Sequence, residues 1–266
     1  MSAELKQQIS VRQSSEQITI RSGTEQWSTQ TEVLTESHLK FHYFYFKRLT
    51  DWILAAVALI ILLPLILIIA VLIKWDSPGP VFFSQERVGA RRRTLNGQTT
   101  WEIRTFTFYK FRTMRVDIDP ALHRQFMQAY IAGNEAMMAA LQPDPEAASA
   151  FKLTGDPRIT RVGGFLRKFS LDELPQLWNV MKGDMSLVGP RPPIPYEVDL
   201  YQVKHFQRFA ALPGITGLWQ VSGRCATSFD EMIHLDVEYI EKQSIWLDLK
   251  ILLWTVPAII SQEGAG

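Results

Sequence analysis

The feature that most constrains this chain is an apolar run from Trp52 to Ile73, WILAAVALIILLPLILIIAVLI, which contains no charged or strongly polar side chain. A helix of roughly 20 apolar residues is long enough to cross the hydrocarbon core of a bilayer. A helix in a soluble core would carry a polar stripe, and this run has none. The sequence therefore predicts insertion into a membrane.

The course of this segment within the membrane has two interpretations. Pro64 lies in its middle and removes one helical hydrogen bond, which leaves two halves that are each too short to cross a core of roughly 30 Å. Basic residues flank both ends, Lys47 and Arg48 before and Lys74 after, and such flanks favour the cytoplasmic side. A helix broken at Pro64 that returns to the same side satisfies both observations. A kinked helix that spans the bilayer is the alternative, since membrane helices tolerate proline.

Length, charge and cysteine content exclude several classes of protein. A chain of 266 residues can bury a hydrophobic core, and its net charge of +1 argues against a nucleic-acid-binding protein. The one cysteine, Cys225, excludes an intrachain disulfide and fits a reducing compartment. Residues 1–40 are polar, of mixed charge and without a signal-peptide core, so we expect a flexible tail there.

The region after the membrane segment has the pattern of a β-hairpin. Val81–Ser84 and Trp101–Tyr109 are rich in aromatic and β-branched residues, and Asn96-Gly97 between them is a strong turn signal. A basic surface beside a membrane segment can lie on anionic lipid, bind phosphate or simply remain solvated. The basic residues are Arg87, Arg91, Arg92, Arg93, Arg104, Lys110, Arg112 and Arg115.

Residues 117–150 have the composition of a helical insertion that ends at Pro143 and Pro145. Within it, Asp117 and Asp119 form a D-x-D pair, the arrangement that holds a metal ion and a nucleotide pyrophosphate. Asp119-Pro120 is equally an ordinary helix start.

The residues that indicate chemistry are concentrated between 151 and 193, where the carboxylates Asp172 and Glu173 are adjacent. On their own, Ser170 and Glu173 also fit an S-x-x-E capping box at a helix start. The neighbouring cations favour phosphoryl transfer: Arg167 precedes the pair, and Arg191 follows within a restrictive Gly-Pro-Arg-Pro-Pro frame. One carboxylate can attack phosphorus, the other can hold Mg²⁺, and arginines can neutralise the phosphate oxygens.

These motifs resemble the bacterial sugar transferase family, the monotopic phosphoglycosyl transferases that start glycan assembly on polyprenyl phosphate. The resemblance runs from about Lys47 onward and keeps the family's motif order. The motifs are Lys110–Met114 (KFRTM), Asp156–Thr160 (DPRIT), Ser170–Leu177 (SLDELPQL), Ser186–Pro192 (SLVGPRP), Pro213–Gly217 (PGITG) and Ser222–Arg224 (SGR).

The resemblance implies a role for each matching residue. Asp172 corresponds to the nucleophile that attacks the β-phosphate of a UDP-sugar, releases UMP and holds the phosphosugar covalently. Glu173 corresponds to the Mg²⁺ ligand, and Pro64 to the break in a re-entrant membrane helix. Asp236 corresponds to a position near the active site, although a solvated helix face explains it equally well. The basic positions implied in binding the donor or the lipid phosphate are Lys110, Arg112, Arg167, Arg191 and Arg224.

The chain also departs from the family pattern. The loop between Arg91 and Trp101 is longer and more basic than usual, Gly163-Gly164 carries a glycine where a side chain is frequent, and Cys225 stands where asparagine is common. These departures leave the choice of donor sugar open.

The C-terminal third is predicted to be helical. Residues 196–212 and Phe229–Lys242 have amphipathic patterns, the second with a polar side. Ser244–Ile260 contains Trp246, Trp254 and two charges, which favours a helix lying in the membrane interface over a second span; packing on the domain core is the alternative. The polar side of the second helix comprises Asp230, Glu231, Asp236, Glu238 and Glu241.

The predicted fold class is α/β and mostly helical. It comprises a re-entrant broken helix over residues 47–75 and a catalytic domain over 76–266 with a short β-hairpin and interfacial amphipathic helices. The implied enzyme is an undecaprenyl-phosphate sugar phosphotransferase that requires Mg²⁺, acts on the cytoplasmic face of the bacterial inner membrane and initiates exopolysaccharide, capsule, O-antigen or other glycan assembly.

The expected partners are a UDP-sugar, undecaprenyl phosphate and membrane lipids, with no nucleic acid. The sugar transferred and homo-oligomer formation stay open. Two other functions are considered: a metal-dependent glycosyltransferase that uses Asp117 and Asp119 and releases UDP, and a non-catalytic membrane scaffold, against which the intact carboxylate pair argues.

Overall fold

The computed structural model describes residues 20–22, 39–95, 98–115, 121–141, 158–222 and 227–260, and all structural statements below refer to these. The predicted α/β, mostly helical class is confirmed for them. The helices are α1 (Leu39–Asp76), α2 (Ala121–Ile131), α3 (Glu135–Leu141), α4 (Arg161–Lys168), α5 (Gln176–Lys182), α6 (Pro195–Val198), α7 (Leu218–Ser222), α8 (Phe229–Lys242) and α9 (Ile245–Ile260). The strands are β1 (Ile20–Ser22), β2 (Phe82–Leu95), β3 (Gln98–Phe111), β4 (Ser186–Val188) and β5 (Gly214–Thr216), and 3-10 helices cover Leu171–Glu173 and Val203–Phe209.

The apolar run forms the central part of α1. Among the described residues, α1 is the one helix that is both long enough and apolar enough to cross a membrane. The helix continues through Pro64, so the expected break does not take the form of a non-helical segment. Proline removes one hydrogen bond of a helix without ending it where the neighbouring turns stay bonded. The re-entrant course itself stays a prediction.

One face of α1 packs against the rest of the protein along its length. Ala55 and Ile73 are almost completely buried, whereas Ile60 and Trp75 on the other faces are 74% and 82% exposed. Large apolar side chains that are exposed in this way are typical of a surface that contacts lipid. The packed side chains recur every three or four residues, as one helical face requires: Phe44, Lys47, Asp51, Ala55, Ala58, Leu62, Leu65, Ile69 and Ile73.

The predicted hairpin is confirmed, with strands longer than expected. Leu95 pairs with Gln98, so Asn96-Gly97, which lies outside the described residues, falls between two antiparallel strands of 14 residues each. The prediction ended the strands early because consecutive arginines hide the alternation of apolar side chains. β1 pairs with β3 in parallel, giving the strand order β1-β3-β2. Within the predicted flexible tail, Ile20–Ser22 is therefore a strand; most of that prediction lies outside the described residues.

A second, two-stranded parallel sheet holds two of the sequence motifs together. The Gly189 N–H donates to the Thr216 carbonyl and the Gly214 N–H donates to the Pro190 carbonyl, both at 2.9 Å. A Cβ on Gly189 would clash with the Leu212 carbonyl, and one on Gly214 would clash with Gly189. Glycine is therefore required at both positions because the two backbones approach too closely for a side chain.

The helix predictions have mixed outcomes. α8 has the predicted bounds, α9 confirms the last helix, and α2 and α3 confirm the helical character of the insertion where it is described. The single helix expected over residues 196–212 is wrong: α6 and the 3-10 helix Val203–Phe209 replace it. A separate turn begins at Gln202, whose N–H donates to His205 Nδ1.

α9 has both an exposed apolar face and a packed face. Trp246 and Leu253 are 82% and 72% exposed, as a helix in a membrane interface requires, while Ile251 is completely buried. Its charge at Asp248 is buried as well, since Lys47 Nζ lies 2.8 Å from its carboxylate and the Tyr239 hydroxyl donates to it at 2.8 Å. The packed face agrees with packing on the domain core, and the interfacial position of the exposed face stays a prediction.

Candidate functional site

A cavity of about 260 Å³ lies where β2, β3, α2 and the segment around Pro192–Glu197 meet. Among the described residues that line it, the cations far outnumber the acids, since Glu197 is the carboxylate present. A concave, partly desolvated surface of one charge sign strengthens attraction for a ligand of the opposite charge. The lining cations are Arg87, Lys110, Arg158, Arg167, Arg191 and Arg208.

The carboxylate pair stands beside this cavity on the short 3-10 helix that follows α4. Asp172 is buried, and Glu173 Oε1 lies 3.5 Å from Arg191 Nη1 with both side chains about one quarter exposed. Three of the five predicted basic positions, Lys110, Arg167 and Arg191, line the cavity. The structure therefore brings these cations together with the two carboxylates.

The capping-box interpretation of Ser170 is wrong. Ser170 has a left-handed backbone with φ of 54°, and its side chain makes no capping hydrogen bond. It is the one non-glycine residue with positive φ among the described residues. A conformation of this kind costs about 1–3 kcal/mol and is concentrated at functional sites. The strain therefore falls two residues before Asp172.

Lys110 is a strongly perturbed cation beside the pair. Burial lowers the pKa of Lys110 to about 8, and repulsion from neighbouring arginines, including Arg87 and Arg167, adds to this effect. Asp172 opposes the shift and favours the charged form of the amine. The opposing influence places the carboxylate of Asp172 within electrostatic reach of the ammonium group.

Two buried arginines fix the backbone around Arg191. Arg87 Nη1 donates to the Pro192 carbonyl and Arg208 Nη2 donates to the Arg191 carbonyl, each at 3.0 Å. The Val88 N–H donates to the Pro193 carbonyl at 2.8 Å, which joins the segment to β2. The prolines restrict this segment, as the sequence predicts, and these long-range hydrogen bonds aim Arg191 at Glu173.

Asp236 acts at one remove from the cavity. Its carboxylate lies 2.6 Å from Arg208 Nη2, and both side chains are almost completely buried. Burial raises the pKa of Asp236 to about 6, with Arg208 opposing the shift. The expectation that Asp236 belongs to the polar side of α8 is wrong, because its position on the helix turns toward Arg208. It does not line the cavity, so it holds a residue that does.

Arg112 has a different place from the one expected. Its Nη2 donates to the Ser77 carbonyl at 2.6 Å, and its Nη1 donates to the Pro78 carbonyl at 2.9 Å. Both acceptors follow the C-terminal end of α1, and Arg112 does not line the cavity. The expected phosphate contact is thus replaced by a structural one, because the guanidinium is occupied in fixing the membrane helix to the domain.

Several predicted positions lie outside the described residues. These are Arg224 in the Ser-Gly-Arg motif, Cys225, and the D-x-D pair Asp117 and Asp119. Pro64 is described, and it lies within α1 rather than beside the cavity.

Sequence reasoning missed residues that line the cavity. His123 Nδ1 lies 2.7 Å from the Tyr196 hydroxyl, and burial lowers the pKa of His123 to about 4, so the ring is neutral at pH 7. The sequence identifies Arg87 only as one cation of a basic region, and it does not identify Arg208 as a site residue. For Arg208, the available signal in the sequence was its position among the aromatic residues Tyr201, Phe206 and Phe209. The structure shows that all three are buried.

The carboxylate pair fits a Mg²⁺ ion bound together with substrate phosphates. Mg²⁺ is usually held by one or two carboxylates plus phosphate oxygens and water rather than by an all-protein cage. The described residues contain no group of three or more His, Cys, Asp or Glu side chains placed to hold a metal. Glu173 is partly exposed beside the cavity, so its carboxylate is accessible to such an ion.

The described fold and site define a membrane-associated protein whose basic cavity suits phosphate-bearing ligands. The family model described as "Bacterial sugar transferase" matches residues 42–262. The chain therefore belongs to the bacterial sugar transferase family.

Curated relatives agree with this membership. The chain is 43% identical to "Galactosyl transferase CpsE" of Streptococcus agalactiae over 85% of this chain and 44% of that protein. It is 38% identical to "Exopolysaccharide production protein ExoY" of Rhizobium meliloti over 82% of this chain and 87% of the relative. It is 39% identical to "UDP-glucose:undecaprenyl-phosphate glucose-1-phosphate transferase" of Caulobacter vibrioides over 82% and 71%. The chain thus spans less than half of the Streptococcus relative.

Proposed function

We propose that this protein transfers a sugar 1-phosphate from a UDP-sugar to undecaprenyl phosphate and releases UMP, as an initiating step of bacterial surface-glycan assembly. The observation that carries the proposal is the adjacent pair Asp172 and Glu173 beside a cavity lined by six cations. The printed name of the Caulobacter relative describes a donor, an acceptor and a transferred group of this kind.

In the first step, a carboxylate oxygen of Asp172 attacks the β-phosphorus of the donor. The bond from that phosphorus to the oxygen bridging the two phosphates breaks, and UMP leaves with the bridging oxygen. The product is a phosphosugar bonded to Asp172 as an acyl phosphate. Carboxylates form such intermediates in other phosphoryl-transfer enzymes, and the intermediate divides one difficult step into two easier ones.

In the second step, a phosphate oxygen of undecaprenyl phosphate attacks the same phosphorus. The bond to Asp172 breaks, the free carboxylate is regenerated, and the product is a lipid-linked diphosphate sugar. UMP departs before the acceptor reacts, so the scheme predicts ping-pong kinetics.

Lys110, Arg167 and Arg191 hold the phosphate oxygens in this proposal. Charge-assisted hydrogen bonds to phosphate are roughly twice as strong as neutral ones, and they strengthen in a site that excludes water. Arg87 and Arg208 orient the loop that carries Arg191 through the carbonyl contacts described above. Phosphoryl transfer depends mainly on positioning and electrostatics, which is what such an arrangement supplies.

Glu173 would hold Mg²⁺, with Asp172 close by. When bound, the ion neutralises the diphosphate of the donor and favours departure of UMP. Arg191 Nη1, 3.5 Å from Glu173 Oε1, orients this carboxylate beside the cavity.

The proposed membrane topology is re-entrant, with both ends of α1 on the cytoplasmic face. Immediately before the apolar run of α1, the Ser186 hydroxyl donates to Asp51 at 2.7 Å. At the C-terminal end of α1, the Val162 N–H donates to Asp76 at 3.1 Å. The 22 apolar residues between would measure roughly 33 Å as a straight helix, enough to cross the hydrocarbon core. Contacts of one domain with both ends support a course that leaves on the side where it entered.

The test is Asp172→Asn, with the exposed Asp199→Asn as the matched control. We expect UMP release to fall by at least about a thousandfold in the first variant and to be unchanged in the second, since loss of a covalent nucleophile removes the intermediate. Wild-type protein given donor without acceptor should gain the mass of one phosphosugar, and Asp172→Asn should not.

Full activity of Asp172→Asn together with an unmodified wild-type mass would refute the mechanism. Release of UDP in place of UMP would instead identify the glycosyltransferase alternative based on Asp117 and Asp119. A panel of UDP-sugars scored by UMP release would identify the donor.

A further inference from the structure

A second basic cavity, of about 510 Å³, lies between the start of α1, the distal part of the hairpin and the end of α5. It shares no lining residue with the first cavity. Among the described residues that line it, Asp184 is the acid, and aromatic rings from Phe44, Tyr45 and Trp101 complete the wall. The five cations are Arg48, Arg91, Arg92, Arg104 and Lys182.

We propose that this second cavity binds the phosphate headgroup of an anionic phospholipid in the membrane that holds α1. The proposal goes beyond the transfer reaction and rests on the membrane insertion of α1, not on the identity of the donor or acceptor.

Among the described residues that line the cavity, the cations outnumber the one acid. Arg104 Nη2 and Lys182 Nζ lie 2.6 Å and 3.0 Å from the carboxylate of Asp184, so two cations share one acid. Arg48 Nη1 donates to the Val180 carbonyl at 2.9 Å. This hydrogen bond holds the guanidinium in place, but a neutral carbonyl does not cancel its charge. Arg91 is exposed on β2. An anionic ligand would therefore meet an excess of positive charge.

The position along α1 favours a lipid over a soluble anion. Arg48 precedes Trp52, the first residue of the apolar run, by four residues, or about 6 Å of helix. Tyr45 is 65% exposed and Trp52 is 47% exposed, and aromatic side chains of this kind concentrate at the membrane–water interface. The α1 side of the cavity thus lies about one helical turn before the apolar run, close to the level expected for phospholipid headgroups, and anionic headgroups attract basic clusters beside a membrane helix.

The cavity is also ordered by packing. The Arg92 guanidinium lies 4.6 Å from the centre of the Phe44 ring, and Phe44 in turn meets the ring of buried Trp101 edge-on. Gly183 ends α5 with φ of 86°, and a Cβ there would lie 2.7 Å from Arg48 Nη2. The absence of a side chain at Gly183 is what lets Arg48 reach the carbonyls at the end of α5.

The experiment measures lipid binding to full-length protein in a neutral detergent by native mass spectrometry, without donor or acceptor. The probes are short-chain phosphatidylglycerol, phosphatidylcholine of equal chain length, and inorganic phosphate. The test variant combines Arg91→Gln with Lys182→Gln. The matched control combines Lys204→Gln with Lys242→Gln, which removes two exposed, ion-paired cations elsewhere. Arg91→Glu alone, on an exposed strand position, is the second variant if the first folds poorly.

We expect wild-type protein and the control to prefer phosphatidylglycerol over phosphatidylcholine by at least about tenfold. The test variant should bind phosphatidylglycerol roughly 30-fold more weakly, the effect of two cations near a lipid surface. UMP release in detergent should be unchanged in every variant, so failure of this inference is distinguishable from failure of the transferase proposal. Equal binding of the two lipids, equal losses in test and control variants, or occupation of the site by inorganic phosphate at the same concentration would each overturn it.

Discussion

The guanidinium of Arg208 lies 2.6 Å from the carboxylate of Asp236, and the two side chains are only 3% and 1% exposed. Arg208 also donates to the Tyr201 hydroxyl at 2.7 Å and to the carbonyl of Arg191 at 3.0 Å. A charge on α8 is thereby connected to the loop that faces the carboxylate pair. The ion pair links the stability of the domain to the geometry of its site.

Replacing Asp236 with Ala should lower the free energy of unfolding by about 3–5 kcal/mol, because it leaves Arg208 buried without its counter-charge. Urea unfolding in detergent measures the change. Asp230→Ala is the matched control on the same helix: its side chain is 67% exposed, so we expect a change within about 0.5 kcal/mol. Equal effects of the two substitutions would show that the buried pair has no special role.

The activity should decline as the pH rises through about 8. Lys110 has a pKa lowered to about 8, so its ammonium is present below that pH and is lost above it. If Lys110 binds a phosphate oxygen, kcat/KM for UMP release must fall with its charge. Lys110→Arg should keep activity at higher pH, because an arginine remains charged.

Lys182→Arg, outside the first cavity, is the control and should leave the pH profile unchanged. A wild-type profile that is flat from pH 7 to pH 9.5 would contradict the role of Lys110. Since folding lowers this pKa, the folded protein binds fewer protons than the unfolded chain above pH 8. The contribution of Lys110 to stability should therefore increase as the pH rises from about 8 toward 10.5.

Removal of divalent cations should stop the reaction. We expect EDTA to reduce UMP release to background and Mg²⁺ to restore it, since a diphosphate donor needs its charge neutralised for UMP to leave. Glu173→Gln should raise the Mg²⁺ concentration required for half-maximal activity by at least about tenfold. Glu231→Gln, an exposed acid on α8, should not. Activity that survives EDTA would remove Mg²⁺ from the proposal.

Two adjacent glycines of α4 should respond in opposite ways to alanine. A Cβ on Gly163 would clash with the backbone of Thr113, whereas one on Gly164 would have its nearest contact at 3.8 Å, with Ile159. Gly163→Ala should destabilise the protein by about 1–3 kcal/mol or more through overpacking. Gly164→Ala should be neutral or stabilise it by up to about 1 kcal/mol through helix propensity.

The activity of these two variants gives an independent measure. α4 carries Arg167 and leads directly into Ser170, so displacement of the helix should lower kcat of Gly163→Ala at temperatures where it remains folded. Gly164→Ala should keep wild-type kcat. If both variants were equally stable and active, the close contact between α4 and Thr113 would have no energetic significance.

The fold and the site differ in how far the sequence predicted them. The antiparallel hairpin of β2 and β3 and the bounds of α8 follow local patterns of residue type, so they could be predicted. Tyr196 and Phe209 fit one amphipathic helix, yet they belong to two shorter elements, because tertiary burial outweighed the local pattern.

By itself, the sequence determined the apolar helix, the hairpin and the adjacent carboxylates of the candidate site, since these depend on residue type and on spacing along the chain. Only the tertiary structure decided that Arg112 holds the end of α1, that Asp236 is buried against Arg208, and that Arg87 and His123 line the cavity. The physical reason is that a charged side chain gains or loses free energy according to what surrounds it, and those surroundings come from segments distant in the chain.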